Sequence, residues 1–580
     1  MAAFADGNDG IGGAVDVSGW SFYGRDEEQG GGPTPFLVGP IVGAVTEHKA
    51  SRVLVEVNET QVVTMDAVMD GEVVCSLEQE VLAMTPTVFK IRHLAPAKRV
   101  SVVVVVGEQS REARFTTTSN KLNWKIATVS CNCHTHTERL GLWHRLSRVA
   151  GELDCVLHLG DQIYGDSDFE LKNGGGTESF DSAWQACLTI LRPLHRREWI
   201  ERKEELLECY RKTYRTTWNM PMTAKVLAST ANYMICDDHE FTDDLGDEPE
   251  HSNPRTVEFF VARIGYQAYC EYQKQLLNDI NVLDHRLKPY YAFRLSPRVG
   301  FFMTDNRIER SLHKDQGTEE TWENQKFLGP SQWERLRQAF EVDFAECDVV
   351  LFGAPTPLVF ISQNATWIAE KKIDDARGTW GHSDFKIEQK AVCKLLTDWQ
   401  NGYMNRTCVV LGGDVHMGGF TDSWHEGSEM PLHQMTASAV GNVPEGGMNA
   451  ARELIIRSAM HADERMFEFK ARHHEWIYGP NFGVVDVKLA KHGRRRPAVT
   501  LTLVPQTGSP KLRNLNLGDA DVPIKKEDHS EASEAAYATA SIMGVAPEGA
   551  GVSPPKQLTM AQMAVGTLGK VARVALQRDS

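Results

Sequence analysis

Four short polar motifs each directly follow an apolar stretch that is typical of a buried strand. They are Ser130-Cys131-Asn132-Cys133-His134, Gly160-Asp161-Gln162-Ile163-Tyr164, Asp237-Asp238-His239-Glu240 and Gly413-Asp414-Val415-His416. Because strand carboxyl ends in an open α/β sheet converge on one edge, we expect these thiol, carboxylate, phenol and imidazole groups to share one site. This ligand set suits two metal ions that share a carboxylate and keep open positions for substrate.

Asp161 is the candidate for the shared ligand, since the glycine before it lets the backbone come close to the ions. Tyr164 follows closely in the same motif and can return to that centre as a phenolate if the ion is ferric. Taken singly, a Gly-Asp pair is more often a turn, and His416 alone would more often be a core histidine. The four consecutive ionisable groups from Asp237 to Glu240 would be costly after a buried strand without metal or counter-charge. The conjunction of all four motifs favours the metal site.

The elements that would position these motifs alternate between strands and helices over residues 120–508. The predicted strands are Trp124–Val129, Cys155–Leu159, Tyr233–Cys236, Val299–Thr304, Asp348–Phe352, Thr407–Leu411, Phe482–Leu489 and Ala498–Val504. The predicted helices are Arg196–Thr217, Gln332–Phe344 and Lys386–Gln400. This alternation indicates an α/β domain with sheet between helices.

The flanking regions differ in composition from the α/β region. Residues 1–34 are predicted to be a flexible leader, and residues 509–580 a disordered, low-complexity tail. Leu558–Leu576 could form a short amphipathic helix, for which docking onto the body is favoured over membrane-surface contact because it holds few cations. Residues 35–119 are predicted to form a β-sandwich of immunoglobulin size. Its predicted strands are Arg52–Val57, Gln61–Thr64, Thr87–Ile91, Val100–Val106 and Ala113–Thr116.

Bulk properties exclude several classes of protein. With 580 residues, the chain exceeds a single core, and its net charge of -16 argues against a nucleic-acid-binding surface or a polybasic membrane contact. The apolar stretch Val100–Val106 is far short of the roughly 20 residues of a transmembrane helix. No secretory signal is evident, and the eleven cysteines show no repeating spacing. We therefore expect a cytoplasmic or intracellular protein with reduced thiols.

The order of the motifs resembles that of the PhoD-like alkaline phosphatases, a branch of the calcineurin-like metallophosphoesterases. Further matches are Met303-Thr304-Asp305-Asn306-Arg307, Leu328-Gly329-Pro330-Ser331-Gln332-Trp333 and Thr436-Ala437-Ser438-Ala439. The resemblance covers roughly residues 35–504. It implies an α/β fold with a four-layer metallophosphoesterase sandwich and an N-terminal all-β, immunoglobulin-like sandwich domain.

The resemblance also implies a cofactor set of iron plus calcium or another divalent metal. Carried over by position, Cys131, Asp161, Tyr164 and His416 would hold the iron ion. Asp161, Asp238 and Asp414 would hold the second metal, with Asp161 shared. A thiolate and a phenolate fit a ferric centre better than magnesium, which prefers carboxylates and water.

The predicted function is hydrolysis of a phosphomonoester, a phosphodiester or both. The metals would lower the pKa of a bound water, and the resulting hydroxide would attack phosphorus in line. Arg307 would neutralise phosphoryl oxygens, His239 would donate a proton or hydrogen bond to the leaving oxygen, and Asn132 would join them in binding substrate. The alternative is a catalytically weak phosphate- or lipid-sensing module that retains the fold. Loss of a ligand would mark that module, and none is evidently lost.

Two positions depart from the family pattern. Thr242-Asp243-Asp244 stands where the family commonly has asparagines, and it fits either a further cation site or an exposed acidic loop. The aromatic residue expected after Arg307 is replaced within Ile308-Glu309-Arg310, which leaves a substrate contact by Arg310 open.

Overall fold

A computed structural model gives the fold of the chain. It describes residues 34–45, 50–173, 176–313, 326–360, 377–425, 428, 430–443, 464–466, 469–491 and 496–516. All of these belong to one unit, Met1–Asp519. The predicted leader, apart from Thr34, and the predicted helix Leu558–Leu576 lie outside the described residues.

The N-terminal region forms two antiparallel sheets. Its strands are β1 Phe36–Val45, β2 Ala50–Val57, β3 Gln61–Met69, β4 Glu72–Val81, β5 Thr87–Arg92, β6 Arg99–Val106 and β7 Gln109–Thr116. The sheet orders are β1-β2-β5 and β4-β3-β6-β7. In β6 the side chains of Val100, Val102, Val104 and Val106 are fully buried, while those between them are partly exposed. This period of two is that of a sheet with one face on a core.

A six-stranded sheet follows, in the order β12-β9-β8-β21-β22-β23. Its strands are β8 Asn123–Val129, β9 Cys155–Leu159, β12 Ala231–Ile235, β21 Asn481–Lys488, β22 Ala498–Pro505 and β23 Lys511–Asn516. β8, β9 and β12 run parallel, and every residue of β9 and β12 is buried. Parallel strands covered on both faces carry continuous apolar runs of this kind.

An eight-stranded sheet has the order β13-β14-β15-β16-β18-β17-β20-β19. Its strands are β13 Tyr291–Ser296, β14 Val299–Met303, β15 Val349–Ala354, β16 Thr407–Gly412, β17 Gly418–His425, β18 Leu432–Ala437, β19 Glu464–Met466 and β20 Phe469–Ile477. β14, β15, β16 and β18 are parallel. A separate hairpin pairs β10 Phe169–Asn173 with β11 Gly176–Phe180.

Nine α-helices occur in the part of the chain that the structure describes. They are α1 Thr137–Leu140, α2 Leu142–Val149, α3 Ala183–Leu191, α4 Lys203–Trp218, α5 Pro221–Leu227, α6 Pro249–Ser252, α7 Val257–Tyr272, α8 Pro330–Gln338 and α9 Lys386–Asn401. Short 3-10 turns occupy Ala150–Glu152, Arg196–Arg202 and Lys274–Leu276, and a π-turn occupies Ala339–Asp343. The predicted helix Arg196–Thr217 is thus a 3-10 turn followed by α4.

Alternate side chains of the two large sheets point into different cores. Leu157 of β9 and Leu351 of β15 share one apolar cluster, which also includes Val63 of β3. On its other face the six-stranded sheet packs against α2 and α5, and the eight-stranded sheet packs against α8 and α9. The prediction of a mixed α/β fold is confirmed. None of the helices in the described residues is long and apolar enough to cross a membrane.

The prediction of a disordered tail from residue 509 is wrong for Lys511–Asn516. This segment is β23, and it pairs antiparallel with β22 along its whole length. Leu515 is buried, whereas Leu512 is exposed, as expected for an edge strand with one face on the core. The predicted domain boundaries otherwise stay predictions.

Candidate active site

The strand order places the predicted motifs beside one another. Val129 of β8 pairs with His158 of β9, and Leu159 pairs with Ile235 of β12, so the three strands end together. Glycine is needed where the two large sheets meet. An added Cβ on Gly413, which follows β16, would lie 2.7 Å from Ser130 Cβ and 2.8 Å from the Leu159 carbonyl oxygen. Motifs from both sheets therefore converge.

Four of the six predicted metal ligands have left-handed backbone conformations. The φ angles are 56° at Cys131, 57° at Asp161, 62° at Asp414 and 54° at His416. Residues other than glycine rarely adopt such angles, and clusters of them occur mainly at functional sites. The local backbone thus turns sharply to aim these side chains.

The predicted iron ligands lie in direct contact. Cys131 Sγ is 3.3 Å from Asp161 Oδ2, and Tyr164 OH is 3.3 Å from His416 Nε2. Cys131, Asp161 and Tyr164 are all buried. Burial raises the pKa of Cys131, and the Asp161 and Asp414 carboxylates raise it further. A cation at this position would reverse that cost and stabilise the thiolate.

The carboxylates crowd together as they would around cations. Ligand atoms of Asp161, Asp238 and His239 lie within 4.8 Å of one another, and so do those of Asp161, Asp237 and Asp414. Burial raises the pKa of Asp161, and although His239 lowers it, Asp238 and Asp237 raise it further. Buried like charges need counter-charge, so the residues present fit a group of bound metal ions.

Arg307 supplies part of the counter-charge. Its Nε donates to Asp237 Oδ1 at 2.5 Å, and its Nη2 lies 3.2 Å from Asp238 Oδ2. Burial opposes its charge, but Asp237 and Asp238 outweigh burial and raise the pKa of Arg307. Nη1 is buried and has no hydrogen-bond partner among the described residues. Asp305 Oδ1 accepts the backbone N–H of Arg307 at 3.0 Å and so fixes the loop that carries this arginine.

His239 is held by a carboxylate that was not predicted. Its Nδ1 lies 2.8 Å from Asp166 Oδ2, and its ring stacks on Tyr164 with centroids 4.0 Å apart. Burial lowers the pKa of His239, but Asp166 and Asp238 outweigh burial and raise it overall. The imidazole is therefore oriented with Nε2 as its remaining donor.

Glu240 binds the backbone of two motifs at once. Its carboxylate accepts the N–H groups of Asp161 at 3.0 Å, Gln162 at 2.7 Å and Asp237 at 2.8 Å. It also accepts a hydrogen bond from the Gln273 side chain at 2.9 Å. Burial raises the pKa of Glu240 to about 7, against the lowering effect of these donors.

A family model for PhoD-like phosphatases matches residues 126–496, more than half of the 580-residue chain. The chain belongs to the PhoD-like phosphatase family. This confirms the prediction from motif order and makes the chain a phosphoric ester hydrolase.

Comparison with solved structures agrees with the family. This PhoD-like phosphatase is similar to a structure titled "Structure of PhoD", with a TM-score of 0.58 and 16% identity over 88% of this chain and 98% of that chain. At this identity the likeness shows the fold alone. A Paenibacillus cycloisomaltooligosaccharide glucanotransferase matches with a TM-score of 0.19 and 8% identity over 83% of this chain and 72% of that one, which carries no argument. No curated protein sequence matches the chain.

Three functional candidates in this PhoD-like phosphatase were not predicted from the sequence: Asp166, Asp237 and Glu240. All three are ionisable, and each lies in or directly beside a predicted motif. The sequence therefore shows these three residues, but it does not show which groups they bind. Asn132, which was predicted to bind substrate, is buried next to Cys131. Its Oδ1 accepts from Thr137 and from Trp143 Nε1, so only its amide N–H groups are left for a ligand.

The two departures from the family pattern have different surroundings. Asp243 is exposed, whereas the Asp244 N–H donates to Asp238 Oδ2 at 2.8 Å. Burial, with Asp238 and Asp243, raises the pKa of Asp244 to about 8. Arg310 is buried, binds Asp247 and donates to the Leu245 carbonyl oxygen at 3.1 Å, so it holds the loop after the third motif.

Proposed function

We propose that this PhoD-like phosphatase is a metal-dependent phosphomonoesterase or phosphodiesterase. The observation that carries the proposal is the convergence of Cys131, Asp161, Tyr164, His416 and their carboxylate neighbours at one edge shared by two sheets. The finer fold assignment is part of the proposal. Packing of helices on the outer faces of two sheets supports a four-layer metallophosphoesterase sandwich. The two N-terminal antiparallel sheets support an immunoglobulin-like sandwich.

Two metals fit the ligand set. Cys131, Asp161, Tyr164 and His416 would hold a ferric ion, because thiolate and phenolate ligands suit it. Asp161, Asp238 and Asp414 would hold calcium or another divalent ion. Bound metals of this kind supply a nucleophile from water at neutral pH and stabilise charge on phosphoryl oxygens.

Arg307 and Asn132 bind the phosphoryl group in this scheme. Arg307 is fixed by two carboxylates at Nε and Nη2, so its Nη1 remains to donate to a phosphoryl oxygen. Asn132 Nδ2 is buried and has no hydrogen-bond partner in the described part of the chain. Donors that are held in place before substrate arrives need no reorganisation during the reaction.

His239 acts on the leaving group. Asp166 occupies Nδ1 and favours the protonated ring, so Nε2 is the atom that donates a proton to the leaving oxygen. Asp166 is the positioning residue, because its carboxylate and the stacked Tyr164 ring fix the plane of the imidazole.

The experiment compares two substrate classes on one preparation. Purified full-length protein is assayed with an aryl phosphate and with an aryl phosphodiester, and bound metals are quantified in the same sample. We expect turnover of at least one substrate by chains that contain iron and a divalent metal. Absence of turnover on both, at full metal occupancy, would overturn the proposal in favour of a phosphate- or lipid-sensing module.

A further inference from the structure

A second group of metal-type ligands lies apart from the proposed active-site ligands. His313, His382 and Asp384 each place a ligand atom within 4.8 Å of the others. Their exposed fractions are 1%, 7% and 5%, so all three side chains are buried. They come from the segment after Arg310 and the segment before α9, and none of the four motifs contains them.

The two distances from Asp384 to the histidines are close to those between ligands of one tetrahedral ion. Asp384 Oδ2 lies 3.2 Å from His313 Nδ1 and 3.7 Å from His382 Nδ1. Zinc bonds of about 2.0–2.2 Å to nitrogen and oxygen place tetrahedral ligands roughly 3.3–3.5 Å apart. A zinc-sized ion therefore fits between the three side chains with small movements. A bond from the ion to His382 Nδ1 would replace the hydrogen bond that the Asp384 N–H donates to this atom at 3.1 Å.

The other nitrogen of His313 faces a supporting carboxylate. Asp247 Oδ1 lies 3.4 Å from His313 Nε2. A histidine that binds a metal almost always gives its second ring N–H to a carboxylate, carbonyl or water, which fixes the ring. Arg310 in turn binds Asp247, so a chain of contacts runs from His313 through Asp247 to Arg310.

We propose that His313, His382 and Asp384 bind one divalent ion of the zinc class. Two imidazoles and one carboxylate favour zinc or a similar first-row ion over calcium and magnesium, which prefer oxygen ligands. The negative charges of Asp247 and Asp384 offset the ion's charge beside Arg310.

The ion would brace a loop that touches the substrate-binding arginine. An added Cβ on Gly378 would lie 3.0 Å from Arg307 Nη1 and 3.4 Å from Arg310 Nη1. The segment that carries His382 and Asp384 therefore packs against both guanidinium groups. Metal binding would tie this segment to His313 and, through Asp247, to the loop after the third motif. Its role is structural, and it supplies no group to the reaction.

A second set of two histidines and an aspartate provides the control. His433 Nδ1 and His474 Nε2 contact opposite oxygens of Asp422, at 2.7 Å and 2.9 Å. Arg513 also binds Asp422. The two imidazoles and the guanidinium are distributed around both oxygens of one carboxylate. They therefore do not surround a single point at which an ion could bind. This trio has the same composition as the proposed site without its geometry.

The test counts metal ions on the full-length chain. Wild type, His382→Gln, Asp384→Asn, the control His433→Gln and the active-site variant Asp161→Asn are dialysed against chelator. They are then equilibrated with Zn²⁺ alone or Co²⁺ alone. Bound metal per chain is measured by elemental analysis, and the visible absorption of tetrahedral cobalt is recorded. Near-ultraviolet circular dichroism checks that each variant keeps its tertiary packing.

We expect His382→Gln and Asp384→Asn to bind one equivalent fewer than wild type and His433→Gln. Asp161→Asn should keep the tetrahedral cobalt band, because the proposed site does not use Asp161. A metal count in folded His382→Gln and Asp384→Asn that equals the count in wild type would overturn the proposal. If neither His382→Gln nor Asp384→Asn folds, absence of the cobalt band from Asp161→Asn overturns it instead.

Discussion

Glu240 is a single buried carboxylate that joins two of the candidate ligand loops. It accepts backbone N–H groups from both the Asp161 loop and the Asp237 loop. The carboxylate is thus a positioning group for Asp161 and Asp238, although the proposed function gives it no metal and no substrate. Outer partners of this kind are commonly as important to a metal site as the ligands themselves.

Replacement of this carboxylate by an amide tests that role. In Glu240→Gln one side-chain oxygen becomes an N–H donor that faces backbone N–H groups. We expect a stability loss of about 1–3 kcal/mol from unsatisfied buried donors. We also expect roughly 10–100-fold weaker metal binding or activity. Urea unfolding, metal analysis and aryl phosphate turnover measure the three effects.

Glu56→Gln is the matched control for this prediction. Glu56 is also fully buried and bonded, but its partners are Arg215 and Tyr272 at the junction with the N-terminal sheets. This variant should lose stability and keep its metal content. Equal metal loss in both variants would show that general destabilisation, and not loop positioning, is responsible.

At the scale of elements, the close approach of the two large sheets creates the site. β9 of one sheet and β16 of the other end where Gly413 passes Leu159 and Ser130. The Cβ of an alanine would need more space than is present. The ends of the strands must therefore separate if Gly413 is replaced.

Gly413→Ala is expected to cost about 1–3 kcal/mol, as is typical when atoms are added to a tightly packed position. The shift should also move Asp414 and Cys131 apart and lower the bound metal content. Thermal unfolding and metal analysis measure both effects. Gly479→Ala is the control, since its added Cβ would meet no described atom within 4 Å. A Gly413→Ala protein indistinguishable from Gly479→Ala would contradict the prediction.

Most strands of the large sheets were predictable because they are continuous apolar runs. β9 and β12 are buried on both faces, so hydrophobicity alone marks them. β23 was missed because Lys511–Asn516 has only two leucines among four polar residues and resembles a polar tail. Its strand structure depends on pairing with β22, which a local pattern does not show. β1 was also not predicted, because it contains glycines and a proline.

The candidate site was predictable as a set of residue types, and its supporting contacts were not. The motifs were visible because ionisable groups directly follow buried strands. The bond from Asp166 to His239 depends on how two separate loops cross, as does that from Glu240 to Asp161. His313 and His382 lie far apart in the sequence and carry no motif, so only the fold brings them together.

At the scale of the whole molecule, the N-terminal sheets are joined to the α/β region by buried polar contacts. Glu56 at the end of β2 pairs with Arg215 of α4, and Tyr272 of α7 donates to the same carboxylate. The turn Lys274–Leu276 packs against β1, where an added Cβ on Gly43 would lie 2.4 Å from the Leu276 carbonyl oxygen. The predicted intracellular location and the tail's role stay predictions.

Lys274 makes this junction sensitive to pH. Its Nζ is buried and donates to the Pro289 carbonyl oxygen at 2.7 Å. Burial lowers the pKa of Lys274 from its ordinary 10.5 to about 8. Between these values the unfolded chain binds a proton that the native chain does not, so stability rises with pH in that window. Below pH 8 Lys274 is protonated in both the native and the unfolded chain. The native chain then bears the full free-energy cost of burying this charge.

Lys274→Met removes this titration. The free energy of unfolding of wild type, measured relative to the variant, should therefore increase by about 2–3 kcal/mol between pH 7.5 and pH 10. Urea unfolding of both proteins at the two pH values gives the difference, and pH effects on other groups cancel. A difference that does not change with pH would contradict the assignment of a lowered pKa.

The central claim is that the converging ligands form the hydrolytic metal site and that Asp161 is the ligand that both metals would share. The most direct test is aryl phosphate turnover by wild type and Asp161→Asn, with bound iron and divalent metal quantified in the same samples. We predict that Asp161→Asn stays folded by near-ultraviolet circular dichroism, loses bound metal and has no measurable hydrolysis. Unchanged turnover by a folded Asp161→Asn protein would contradict the account.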